Sequence, residues 1–260
     1  MSSLTGLFLV FAVLMLIVGG KQGAQALFGL LFNFFLLFLA ITLIAWGFSP
    51  LVIVVVVGIV MLAVTIFLSD DNDQVTRVAF LASVLVMLVL MGLIVPVEHW
   101  AHVQGFAMED SEELEGLSLT IGLNFLQIGI MAAILSTLGA IAEAAMAIAA
   151  GMQEVLQDNP AIKTKQLFGH GMNIGRQIIA TAINTLFFGF IGSFLALSIW
   201  FVKLNYGWGA VINSKIFGAE LLMLLFSMIA VILTVPGTAW LMQRDVGKQR
   251  VNEQMKKQKL

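Results

Sequence analysis

Cysteine is absent from the 260 residues. Disulfides, thiolate metal sites and cysteine nucleophiles are thereby excluded. Charge is scarce as well: Asp, Glu, Lys and Arg make up 11% of the chain, against roughly 25% in soluble domains. The net charge of −2 is too small to suggest a nucleic-acid partner, and no basic stripe with interleaved aromatics reopens that question. The three histidines, His99, His102 and His170, are too dispersed for an all-histidine metal site. The signatures G-x-S-x-G, H-E-x-x-H and Walker A are missing too. No catalytic residue, metal or cofactor is expected, and the chain reads as a non-enzyme. Any energised work would need an ion gradient or a partner.

What fills the chain instead is apolar sequence, 60% of all residues. A bilayer core takes about 20 apolar residues per helix. Runs of that kind lie near 3–20, 24–46, 51–69, 78–97, 117–152, 177–203 and 215–241, separated by short polar breaks such as Lys21-Gln22-Gly23, Ser49-Pro50 and Asp70 to Asp73. The fold class is therefore all-α, a polytopic membrane bundle of about seven transmembrane helices. The first run lacks a positive n-region and an A-x-A-like cleavage site, so it reads as a retained span. Before the sixth run, AIKTKQLFGHGMNIG has an amphipathic pattern. It predicts a surface helix near 160–176, with Asp158 or Asn159 as N-cap and Pro160 in the first turn. Pro236 should kink the last span.

The stretch 117–157 reads either as one long helix or as two crossings with a turn near Gly139. The positive-inside rule separates the two. A single crossing places eleven of the 13 basic residues on one side, leaving Lys203 and Lys215 on the other. Two crossings scatter them. One helix is therefore expected, with the N-terminus outside and the C-terminus in the cytoplasm. The organisation that follows is a four-helix membrane segment (1–97), an acidic extracytoplasmic loop (98–116), a three-span segment (117–243) and a basic cytoplasmic tail (244–260).

Few polar residues interrupt the spans. Glu143 sits in a run of alanines, and a charged side chain at bilayer depth costs ~2.5–3.5 kcal/mol on insertion scales. Ser136 and Gly139 fall within about 40° of it around a 3.6-residue helix. Gly139, Ala140 and Ala142 offer the small-residue surface on which helices pack in lipid. Glu143 is thus a hydrogen-bonded packing residue, a partner contact or a proton- or cation-linked group. A second polar face, Asn173, Gln177, Thr181, Asn184 and Thr185, lines one side of the sixth span. It serves as interhelical glue or, if it meets Glu143, as one wall of a polar pocket. Arg176 is its charged partner or a cytoplasmic anchor. In the outer loop, Glu109, Asp110, Glu112 and Glu113 are a solvated linker, a divalent-cation trap or a dock for a basic partner, though no EF-hand spacing is present.

The stretch STLGAIAEAAMAIAAGMQEVLQDNP, followed by LFGHGMNIGRQIIATAINTLFFGFIG, resembles the YibE/YibF family of bacterial membrane proteins. MLIVGGKQG and EDSEELEGLSLTIGLNF resemble its shorter member, which lacks an extracytoplasmic domain. The resemblance implies a multi-pass protein of the bacterial plasma membrane, in a hetero-oligomer with a longer YibE-like protein. A weaker similarity runs to the membrane domains of SecD/SecF and the proton-driven RND permeases. There a glycine followed by an acid or amide, an amphipathic segment and a Thr/Asn/Ser-rich helix come in the order of Gly139, Glu143, 158–170 and Thr181, Asn184, Thr185. That similarity implies a SecF-like half in the C-terminal part and a proton-handling role for Glu143. The expected function is a subunit of an ion-coupled transport or export complex. The alternative is a non-transporting scaffold or chaperone that holds a partner's helices.

Overall fold

The computed structural model describes residues 3–103 and 124–258. Among these residues the only regular elements are helices: α1 (Ser3–Ala45), α2 (Pro50–Phe67), α3 (Asp73–Ala101), α4 (Phe125–Asp158), α5 (Thr164–Lys203), the single turn α6 (Trp208–Ile212) and α7 (Lys215–Gln258). Six of them are long and apolar enough to cross a membrane. The chain is a polytopic helical membrane bundle.

The first helix holds both of the first two expected runs. They meet at Gly20, whose φ of 54° and ψ of −130° belong to a turn. Gly23 lies directly against the backbone carbonyl of Met15. In a straight helix, residues eight apart would be about 12 Å distant, so the chain folds back sharply at this point. Only a glycine takes Gly20's conformation without strain.

Starts are set locally. Pro50 opens α2 in the first turn, where its missing N–H costs nothing. Asn72 caps α3 by accepting from the N–H groups of Gln74 (3.0 Å) and Val75 (3.3 Å). Asn124 caps α4 through the N–H of Gln127 at 3.2 Å.

Helices α3, α4 and α7 pack on one another and form the centre of the bundle, with α2 against α3 and α4, α5 against α4 and α7, and α1 against α2. Lipid is as apolar as leucine, so close packing of small residues, rather than escape from the solvent, draws such helices together. The inner face of α4 is accordingly small: Ala133, Ala142, Ala145 and Ala149 are buried beside Ile134, Ile141 and Ile148. On α5, Gly171 and Gly175 let the backbone approach α4 and α7. A β-carbon on Gly171 would meet Met152 and Ala239, and one on Gly175 would collide with Val235.

One end of the bundle gathers most of the charge. Lys21 pairs with Asp71 at 2.9 Å, and Arg77 with Asp245 at 2.6 Å. Arg250 donates to the carbonyls of Ile162 (2.6 Å) and Pro160 (2.8 Å), tying the α4–α5 connection to α7.

The single crossing expected from the distribution of charge is found: residues 125–158 form one helix without a turn at Gly139. Three other expectations change. The predicted surface helix near 160–176 is not a separate element. Asp158 ends α4, Asn159 is its C-cap, and α5 runs unbroken from Thr164 to Lys203. Leu167, Gly171 and Gly175 dock that segment onto the bundle, which is why it does not lie free at the surface. Helix α3 continues through Glu98 to Ala101, so the connection to α4 begins at His102. Helix α7 passes through Pro236 and takes in the tail as far as Gln258. Pro236 is exposed, so its ring and lost hydrogen bond fall on the outer face.

Candidate functional site

Glu143 stands near the middle of the 34-residue α4. Its inward neighbours Ala142, Ala144 and Ala145 are buried, whereas Glu143 itself is exposed. Ser136 and Gly139 share its face, as the spacing requires, and both are exposed too. A β-carbon on Gly139 would meet nothing within 4 Å. Ser136 donates its hydroxyl to the carbonyl of Ala133 at 2.8 Å. Ala140 is half-buried and Ala142 packs into the core. This face therefore points out of the bundle, as a shallow strip with a carboxylate at its centre. Towards the N-terminus of α4, Ala132 on the same face lines an apolar cleft of about 370 Å³ bounded by Leu37 and Ile41 of α1 and by Met131 and Leu135.

The second polar face, on α5, is also exposed. Its side chains turn back onto their own helix. Thr181 donates to the carbonyls of Gln177 (3.2 Å) and Ile178 (3.1 Å), Asn184 to Ala180 (3.0 Å) and Thr185 to Thr181 (3.0 Å). Arg176 donates to Asn173 at 3.2 Å. Glu143 makes no hydrogen bond or ion pair to any of these, or to any other described residue. The two faces are not joined into a pocket within this chain. Glu109, Asp110, Glu112 and Glu113 lie outside the described residues.

A third polar set escapes a reading of the sequence. Thr76, Ser83 and Glu98 on α3, Thr137 on α4, and Ser227, Thr234 and Thr238 on α7 are all buried among those three helices. Glu98 is only 3% exposed and faces Gly129 of α4, at 3.5 Å from where a β-carbon would stand. Most of the hydroxyls are satisfied by their own backbone: Thr137 donates to Ile134, Ser227 to Met223 and Thr234 to Ala230. Ser83 and Thr238 have no hydrogen-bond partner among the described residues. Glu98 continues Val86, Leu90 and Ile94 at four-residue steps, so the sequence places it on their face, and the structure shows that this face is the buried one.

Compared with known proteins, the chain matches the model of one family, described as YibE/F-like protein, over residues 7–248. It belongs to that family. No curated protein and no solved structure matches it. In this YibE/F-like protein, then, the interior polar set is enclosed by the chain's own helices. The Glu143 strip and the α5 face are open to whatever surrounds the bundle.

Proposed function

We propose that this YibE/F-like protein is a subunit of an ion-coupled transport or export complex in the bacterial plasma membrane, working with a larger YibE-like partner. One observation carries this reading: Glu143 is exposed on the outer face of a membrane helix, at mid-length, with no hydrogen bond or ion pair from the described residues. A charged group facing lipid alone is costly. A partner helix laid on the strip of Ser136, Gly139 and Glu143 removes that cost by covering the carboxylate and supplying a donor. The open glycine lets its backbone come close, and the apolar cleft at Ala132 receives its side chains. The Thr181, Asn184 and Thr185 face then contributes polar groups to the joint pathway. In this arrangement Glu143 carries the proton or cation, and no step is enzymatic. The positive-inside rule assigns the end holding Arg77, Lys163 and Arg250 to the cytoplasm, with the N-terminus outside.

A second reading, a non-transporting scaffold, uses the same strip only to hold the partner. Two variants separate the readings when the protein is co-expressed with its partner. Under the transport reading, Glu143→Gln keeps co-purification but abolishes ion-driven flux in proteoliposomes, and Gly139→Leu abolishes both. Full flux with Glu143→Gln removes the ion-carrying role and leaves the scaffold. Unchanged co-purification with Gly139→Leu removes the docking strip itself.

A further inference from the structure

At the charged end of the bundle, α3, α4 and α7 border an open groove of about 240 Å³. Four glutamines, Gln74, Gln153, Gln157 and Gln249, line it together with Arg250. The amides are not free to turn. Asp245, held by Arg77, accepts from the Nε2 of Gln74 at 3.1 Å and of Gln249 at 2.9 Å. An ionised carboxylate only accepts, so both NH₂ groups must face it and both amide oxygens are left for other donors. Gln153 Oε1 is buried and has no hydrogen-bond partner among the described residues. Leaving such an acceptor unpaired is unfavourable, and a donor brought to it is correspondingly well received. The guanidinium of Arg250 is fixed by the carbonyls of Ile162 and Pro160. Those bonds use two of its five N–H groups.

The groove thus presents one anchored cation beside acceptor oxygens. It lies where α3 passes from the acidic stretch Asp70 to Asp73 into its apolar run, the kind of polar-to-apolar boundary at which a membrane helix meets lipid head groups. We propose that it binds a phosphate-bearing polar group that also carries N–H or O–H donors. The phosphate sits on Arg250, and an ammonium or hydroxyl donates to Gln153 Oε1. Two sources share this chemistry: the head group of phosphatidylethanolamine or phosphatidylglycerol, and a soluble amine or polyol phosphate.

The full-length protein, purified in neutral detergent, is titrated with three lipids and followed by native mass spectrometry. The lipids are phosphatidylethanolamine, phosphatidylglycerol and phosphatidylcholine, whose trimethylammonium has no N–H. Free phosphoethanolamine is titrated separately by calorimetry. Selective retention of the first two lipids supports the site with a lipid source, and binding of phosphoethanolamine supports it with a soluble one. Gln153→Leu should weaken the observed binding about five- to tenfold, the value of one hydrogen bond. Because that oxygen has no protein partner to lose, the ligand-free variant should unfold at the same temperature or higher. Gln157→Leu, at the exposed rim, tests the same groove where folding is less engaged. The proposal is overturned if phosphatidylcholine is retained as well as the other lipids and phosphoethanolamine does not bind. It is equally overturned if neither variant changes binding.

Discussion

At the scale of single residues, glycine does two opposite things in this protein. Gly175 is buried where α5 meets α7, and any β-carbon there collides with Val235. Gly139 faces outward with nothing near it. Their alanine variants should therefore diverge. Gly175→Ala is expected to destabilise the detergent-solubilised protein by about 1–3 kcal/mol, the usual effect of overpacking, and Gly139→Ala to leave it unchanged. Thermal unfolding monitored by circular dichroism distinguishes them. A Gly175→Ala protein as stable as the parent would mean that α5 sits further from α7 than described. The carboxylates divide in the same way. Glu98 is enclosed by α3 and α4, whereas Glu143 is open. Both were visible as acids bordering or interrupting apolar runs. Their opposite orientations were not, because each is flanked by residues that suit a protein interior and lipid equally well.

At the scale of elements, length was legible and joints less so. The polar breaks at 21–23, 49–50 and 70–73 mark real turns. The joint between α4 and α5 falls at 159–163, because Lys163 rather than Asp158 or Asn159 precedes the new helix. Arg250 holds that joint from a residue about 90 positions away, information that no local pattern contains. The turn at Gly20 is different, since its backbone conformation is local. A side chain at φ 54°, ψ −130° costs about 1–3 kcal/mol of strain. Gly20→Val should open the fold-back and change the path of residues 3–19. A single cysteine at Leu4, placed in a chain that has none of its own, reports this through altered reactivity with a water-soluble maleimide. Identical reactivity with and without Gly20→Val would show that the bend does not depend on this glycine.

At the scale of the whole molecule, charge orders the bundle along its axis. Lys21 with Asp71, Arg77 with Asp245, and Arg250 with the 160–162 carbonyls share one end. The 46–49 and 204–214 connections lie at the other. Single cysteines at Asp71 and Asn159 should react with an impermeant maleimide from one side of the membrane, and cysteines at Phe48 and Trp208 from the other. In intact cells only the second pair is expected to be labelled, in keeping with the proposed orientation. Labelling of Asp71→Cys and Phe48→Cys from the same side would contradict the bundle described here.

The sequence by itself determined that the chain lives in a membrane, roughly where its helices run, which residues share a face with Glu143, and that 117–157 is better read as one crossing than two. Tertiary structure alone decided which way each face points. The reason is the solvent. In water, an apolar stripe announces the core. In lipid, core and surroundings are both apolar, and hydropathy does not separate them. Ser136, Gly139 and Glu143 are turned outward because Ile134 and Ile141 pack into the core shared with α2, α3 and α7, and Ile148 into the one shared with α3, α5 and α7. Thr234, Thr238 and Glu98 are turned inward by the same packing, which no reading of polarity along the chain reveals.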